Sequence, residues 1–244
     1  MGDNAADAVV PSRRGGKQQI PRPPGARLGG LPAWATVPPA RRQAISLDQV
    51  RQGFERRGWG GDAPRNVPPA RLSRRHEPAS RPAAVLCPLF EEGGEAHVIL
   101  TRRSSNMRSH TGEVSFPGGR LEEGERAVDA ALREAREEVG IDPSVIAVLG
   151  PLSPLVTVRG QVLITPFVGV FPGRPRLVPN PAEVERAFDV SLAELVSEGI
   201  YREEVWELPG EGPRSISFFE LIGDTVWGAT AWILRDLLEL TLQP

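Results

Sequence analysis

Residues 119–141 constrain this chain more than any other stretch. Gly119 is followed by Glu125 and then, after seven residues, by Arg133-Glu134-Ala135-Arg136-Glu137-Glu138-Val139-Gly140-Ile141. Val128, Ala131, Leu132, Ala135 and Val139 recur at helical spacing, which predicts a helix over Arg126–Val139 that Gly140 stops. On that helix Glu134, Glu137 and Glu138 stand at i, i+3 and i+4 and share a face. Three carboxylates on one face repel one another unless a cation lies between them. Hard oxygen donors of this kind suit Mg2+ or Mn2+. The glycine turn ahead of the helix, Gly118-Gly119, lets backbone amides and carbonyls come close to an ion or a phosphate. The plainer alternative is a solvated acidic face, its charge offset by Arg133 and Arg136 through pairs such as Arg133–Glu137.

The remaining pattern predicts mixed strands and helices. Ala83–Phe90 reads as a buried strand, Glu91–Glu95 as a hairpin turn and His97–Arg103 as the returning strand. Ser104–Val114 reads as a polar loop. Phe116-Pro117-Gly118-Gly119 reads as a break in regular structure, because proline and two glycines interrupt any element. Strands are expected at Ile146–Gly150, Leu155–Val158, Val162–Phe171, Val205–Leu208 and Ile216–Leu221, with a short helix at Ser191–Ser197. An amphipathic helix over Thr230–Leu242 closes the chain. Helices covering a mixed β-sheet predict an α/β/α sandwich over residues 81–244. Residues 1–80 form a separate segment. Its first 40 residues, rich in Pro, Gly and Arg and without periodicity, are expected to be largely disordered. Ser46 is expected to cap a short helix, Leu47–Arg57, with Leu47, Val50 and Phe54 at helical spacing; Pro64–Pro82 reads as a linker.

Composition narrows the function. The net charge is −2, with a basic excess in residues 1–80 and an acidic one beyond. The basic segment lacks interleaved aromatic residues and any known binding module, so nucleic acid is not expected as a partner. The apolar runs Ala83–Phe90 and Val162–Phe171 fall well short of the ~20 residues that span a bilayer, and the N-terminus lacks the apolar stretch of a secretory signal. The single cysteine, Cys87, sits in a strand-like apolar run and reads as a buried hydrophobe, in keeping with a reducing cytoplasm. There is no Cys/His cluster for zinc and no Ser-His-Asp pattern.

The segment Gly119–Ile141 resembles the Nudix box, G-x5-E-x7-R-E-U-x-E-E-x-G-U, where U is an aliphatic residue. Gly119, Glu125, Arg133, Glu134, Glu137, Glu138 and Gly140 fill its fixed positions, and Ala135 and Ile141 its apolar ones. Just upstream, Ile99-Leu-Thr101-Arg-Arg103-Ser104, Arg108, Gly112 and Phe116-Pro-Gly-Gly119 resemble the signature of the coenzyme A pyrophosphatase branch, departing from it at Ile99. The resemblance does not reach residues 1–80. It implies Mg2+- or Mn2+-dependent hydrolysis of a pyrophosphate bond, with coenzyme A or acyl-coenzyme A giving 3′,5′-ADP and 4′-phosphopantetheine.

By position, the resemblance implies that Glu134, Glu137 and Glu138 hold the metal, with the Gly119 carbonyl as a further ligand. Glu125 would support the site or bind an extra ion, and Arg133 would orient a glutamate. The general base would be Glu134 or a glutamate beyond the box, Glu183 or Glu185, in the loop before the Ser191 helix. Arg102, Arg103 and Arg108 would bind the 3′-phosphate or the pyrophosphate beside the Gly118-Gly119 backbone. Alternatively, Arg103 and Arg108 would pin the loop to the helix. His110 reads as a loop hydrogen-bonding residue. ADP-ribose, a dinucleotide or a nucleoside triphosphate stand as alternative substrates. A non-catalytic Nudix-fold binding module stands as an alternative function, although such modules usually lose box glutamates. A homodimer is left open.

Overall fold

The computed structural model describes residues 15–16, 18–59, 81–104, 112–157, 162–210 and 212–243. In chain order the elements are β1 (Gly15–Gly16), β2 (Arg27–Leu28), α1 (Pro39–Arg42), α2 (Leu47–Arg56), β3 (Arg81–Glu92), β4 (Glu95–Arg103), β5 (Val114–Ser115), β6 (Gly118–Arg120) and α3 (Ala127–Val139). There follow β7 (Ala147–Pro151), β8 (Leu155–Val156), β9 (Val162–Val170), β10 (Val184–Ser191), α4 (Leu192–Leu195), β11 (Tyr201–Leu208), β12 (Gly212–Trp227) and α5 (Gly228–Leu242).

The main sheet runs β10-β4-β3-β9-β7, with β5 paired to β4, β6 to β3 and β8 to β9. β3 and β9 are parallel and the other pairs antiparallel, so the sheet is mixed. The alternation of β3 decides what covers each face. Ala84, Leu86 and Phe90 pack with Ile99 of β4 against Ala131, Ala135 and Val139 of α3. Cys87 and Leu89 pack with Val98 and Leu100 against Leu234, Leu237 and Leu238 of α5 and Val50 and Phe54 of α2. Each fully buried Leu or Phe contributes about 1.5–3 kcal/mol, so the two faces lock α3 and α5 onto opposite sides of one sheet. This is the expected α/β/α sandwich. Cys87 is buried as expected, and burial pushes its thiol well above its ordinary value, which removes it as a nucleophile. No helix among the described residues is long and apolar enough to cross a membrane.

Four expectations are corrected. First, residues 18–40, expected to be largely disordered, pack onto the rest of the chain, whereas the helix capped by Ser46 forms as expected. Trp34 is buried, stacks on Phe219 with ring centroids 6.4 Å apart and meets Tyr201 edge-on. Ile45 is fully buried, and α2 starts from Ser46 with a complete capping box to Gln49. β1 and β2 flank the hairpin β11–β12 in a second sheet, ordered β1-β12-β11-β2. A lone Trp among prolines has no periodicity to reveal it; its burial is decided by a hairpin more than 160 residues downstream. Second, Gly118-Gly119 does not break regular structure but pairs with β3, Val85 facing Gly118 and Ala84 facing Gly119. Third, the stretch before Ser191, expected as a loop, is the edge strand β10. Fourth, β12 is 16 residues long rather than the six expected. Of the expected linker Pro64–Pro82, residues 64–80 lie outside the described residues, as do Arg108 and His110, while Arg81 and Pro82 open β3.

Candidate active site

α3 forms where the periodicity predicts. Arg126 occupies the N-cap, and its side chain pairs with Asp129 instead of capping the backbone. Gly140 ends the helix with φ +70°, a conformation that suits glycine. Residues 178–180 then cross the helix terminus: Val178 N donates to Val139 O at 2.9 Å and Asn180 N to Glu138 O at 2.8 Å. This crossing delivers Glu183 to the carboxylate face of α3.

Arg133 organises the acidic residues. Its Nε and Nη2 donate to the two carboxylate oxygens of Glu125 at 2.9 and 3.1 Å, a bidentate fork. Its Nη1 donates to Glu134 at 3.0 Å and to Glu137 at 3.3 Å, and its Nη2 reaches the Arg120 carbonyl at 3.1 Å. The Arg133–Glu137 pair of the plainer alternative is therefore present. It does not account for the rest of the cluster, because Glu138 points inward. Glu138 is buried, and its only direct donor among the described residues is Gly118 N at 3.4 Å. Burial and then the Glu134 charge push its acid up to about 8; Gly118 N and Arg103 oppose the shift, and Glu183 adds to it. Glu134 is also raised, chiefly by burial, against the pull of Arg133 and with Glu137 and Glu183 adding to the rise.

Gly119 is glycine for a steric reason. A Cβ there would lie 2.3 Å from Glu134 Oε1, so only the bare backbone admits that carboxylate.

Among the described residues, no group of three or more His, Cys, Asp or Glu side chains is drawn together as a ready metal cage. The reason is visible in the contacts: Arg133 engages Glu134 and Glu137, while Glu138 turns to the Gly118 amide. A divalent cation nevertheless suits the residues present. The donors are hard oxygens, and like charges are crowded where burial already penalises them. The residues able to hold such an ion are Glu134, Glu137, Glu138 and the Gly119 carbonyl.

The candidates outside the helix separate cleanly. Glu183 stands at the turn before β10, and its charge acts on both Glu134 and Glu138. Glu185 belongs to β10 and pairs instead with Arg102 at 3.5 Å, so it is not part of the cluster. Strand alternation divides the arginines. Arg103 lies on the α3 side of β4, where its charge acts on Glu138, and its Nε is buried with no hydrogen-bond partner among the described residues. Arg102 faces the other side of the sheet, away from the α3 glutamates. Its guanidinium is engaged by Asp224 at 2.8 Å and by the Gly223 carbonyl at 3.0 Å. The sequence reading missed Asp224, which is fully buried. An acid flanked by Gly223 and Thr225 within β12 gives no signal that arginines distant in sequence enclose it.

The comparisons with known proteins agree with this geometry. The family profile described as the NUDIX domain matches residues 80–207. The chain is 40% identical over 173 residues to "Uncharacterized Nudix hydrolase NudL" of Photorhabdus laumondii, covering 70% of this chain and 89% of that protein. It is 38% identical over 167 residues to the NudL of Escherichia coli K12, covering 67% and 85%. It is 40% identical over 168 residues to "Nudix hydrolase 15, mitochondrial" of Arabidopsis thaliana, covering 66% of this chain and 59% of the plant protein. Nudix hydrolases generally use divalent metal ions. With the box residues gathered on α3 beside the β6 glycines, the chain belongs to the Nudix family and is a Nudix hydrolase.

Proposed function

We propose that this enzyme hydrolyses the pyrophosphate bond of coenzyme A or acyl-coenzyme A, releasing 3′,5′-ADP and 4′-phosphopantetheine or its acyl form. The observation that carries this reading is Arg103. It belongs to the upstream motif and sits beside Glu138 with a buried Nε–H that has no partner among the described residues. An unpaired buried donor costs about 1–3 kcal/mol. An anionic phosphate oxygen would satisfy it, which ties the upstream motif to the same place as the box.

Glu134, Glu137, Glu138 and the Gly119 carbonyl would hold Mg2+ or Mn2+. Such an ion neutralises the pyrophosphate and lowers the pKa of bound water. Glu125 locks Arg133 from behind, and Arg133 sets the orientation of Glu134. Glu183 takes the proton of the attacking water; among the described residues no cation engages its carboxylate. Water attacks one phosphorus, the bridging P–O bond breaks and the other phosphate leaves. The backbone amides around Gly118 and Gly119 line the approach to the phosphates. The buried thiol of Cys87 is consistent with the cytoplasm as the site of this reaction.

The test is a panel of coenzyme A, acetyl-coenzyme A, ADP-ribose, a diadenosine polyphosphate and a nucleoside triphosphate, each incubated with Mg2+ and read by mass spectrometry. Cleavage of coenzyme A or its thioester to 3′,5′-ADP is expected to exceed that of the others. Cleavage of another panel member with coenzyme A intact would overturn the substrate reading.

A further inference from the structure

Asp224 lies on β12, far in sequence from the α3 glutamates. It is fully buried and takes two arginines from adjacent strands. Arg102 Nε of β4 donates to its Oδ1 at 2.8 Å, and Arg186 Nη2 of β10 donates to its Oδ2 at 2.6 Å. Arg102 and Arg186 are register partners, so one carboxylate of the second sheet ties a single rung at the edge of the main sheet. Gln18 Nε2 adds a third donor at 3.2 Å. A carboxylate so far from water is tolerated only with donors of this kind, and guanidinium forks fix geometry as well as charge.

The rung borders an irregularity. The register passes from Val184 opposite Arg103 to Arg186 opposite Arg102, which leaves Glu185 as the extra residue of a β-bulge. A bulge re-aims the chain on either side of it, and the residue just before this one is preceded by Glu183. On its outer side the bulge is held by the Glu185–Arg102 pair, and Arg186 also lies over the Phe188 ring, 4.5 Å from its centroid. Ser104 N donates to Glu183 O at 2.8 Å, so the turn is joined to the end of β4 as well.

We propose that Asp224 is a positioning residue for hydrolysis: by clamping Arg102 and Arg186 it fixes the bulge at Glu185, and so holds Glu183 against the α3 glutamates. The inference rests on Glu183 being a working member of the site. It gives the second sheet a role in the reaction, carried out without touching substrate.

The experiment compares wild type, Asp224→Asn, Glu183→Gln and the double variant on whichever panel substrate the wild type cleaves. Asn preserves shape and one acceptor oxygen but removes the charge. Asp224→Asn is expected to lower kcat about tenfold or more, with KM within about threefold, since small displacements of a reacting group carry large rate penalties. The double variant should be no slower than Glu183→Gln alone, because the first residue acts through the second. Amide exchange at Ser104 should quicken in Asp224→Asn while the α3 amides stay protected, a readout that needs no turnover. If Asp224→Asn does not fold, Arg186→Gln removes one arm of the clamp from a half-exposed position, and a smaller effect of the same pattern is expected. Wild-type kcat together with unchanged Ser104 exchange in Asp224→Asn would overturn the proposal, as would losses that multiply in the double variant. Failure to cleave coenzyme A would overturn the substrate reading alone. A fully active Glu183→Gln would overturn the role of Glu183, and this proposal with it.

Discussion

Glu138→Gln exposes the electrostatics of the site most directly. The Glu138 side chain is buried, and its acid stands at about 8 in the folded protein against an ordinary 4.5. Between those values the folded protein holds a proton that the unfolded chain releases, so raising the pH favours unfolding. The stability contributed by the neutral acid is complete below the ordinary value and is lost as pH rises through the window to about 8. That is the reverse of a salt-bridged carboxylate. Each pH unit corresponds to about 1.4 kcal/mol, so the window amounts to at most about 5 kcal/mol. Glu134, also raised, adds a slope of the same sign. Glu138→Gln carries no proton and removes its own share. Urea unfolding in EDTA between about pH 5 and pH 8 should show wild-type stability falling with pH more steeply than that of the variant, with the variant ahead by about 2–4 kcal/mol at the upper end. Adding Mg2+ should reverse the order at that end, since a cation that displaces the proton stabilises only the wild type. Equal slopes in EDTA would refute the reasoning, because they would mean that Glu138 is ionised and hydrated throughout.

Further expectations follow from single contacts. Gly119→Ala should leave the melting temperature close to wild type yet cut kcat by about a hundredfold, because its Cβ, 2.3 Å from Glu134 Oε1, displaces only the mobile end of that side chain. Gly118→Ala should act oppositely on stability and lower it by about 1–3 kcal/mol or more, since its Cβ would meet the Ala84 carbonyl at 2.4 Å and the Val85 Cα at 2.6 Å; thermal melts separate the two variants. Glu125→Gln, which unlocks Arg133, should reduce kcat about tenfold and raise the Mg2+ concentration for half-maximal rate, while leaving the fold intact by circular dichroism. Trp34→Ala should destabilise the whole protein by about 3–5 kcal/mol, because that ring is buried against Tyr201 and Phe219; an unaltered urea midpoint would mean that the N-terminal segment is dispensable.

What the sequence disclosed depends on how local its cause is. α3 is legible because its apolar stripe, its carboxylate face and its terminating glycine all lie within one segment. β3 and the closing helix are legible for the same reason, as runs whose pattern matches their burial. β10 is hidden because the Glu185 bulge breaks its alternation and because, at the sheet edge, one side has no strand to impose a pattern. β6 is hidden because glycine has poor strand propensity; Gly118 and Gly119 are extended through their pairing with β3 and the close approach of Glu134. Trp34 carries no periodic signal, and its environment is supplied by α5, Tyr201 of β11 and Phe219 of β12. The site follows the same division. The helix glutamates and Arg133 can be named from spacing alone. The choice between Glu183 and Glu185, the opposite facings of Arg102 and Arg103, and the capture of Arg102 by Asp224 across 122 residues all depend on which strands become neighbours.

The central claim is that the carboxylates gathered on α3 bind a divalent cation. Mn2+ binding followed by electron paramagnetic resonance, with Mg2+ as competitor, tests it without reference to any substrate. Wild type should take up Mn2+ that Mg2+ displaces, with affinity increasing as pH rises toward about 8, and Glu138→Gln should lose most of that uptake. Equal Mn2+ binding by wild type and a variant lacking all three of Glu134, Glu137 and Glu138 would contradict it.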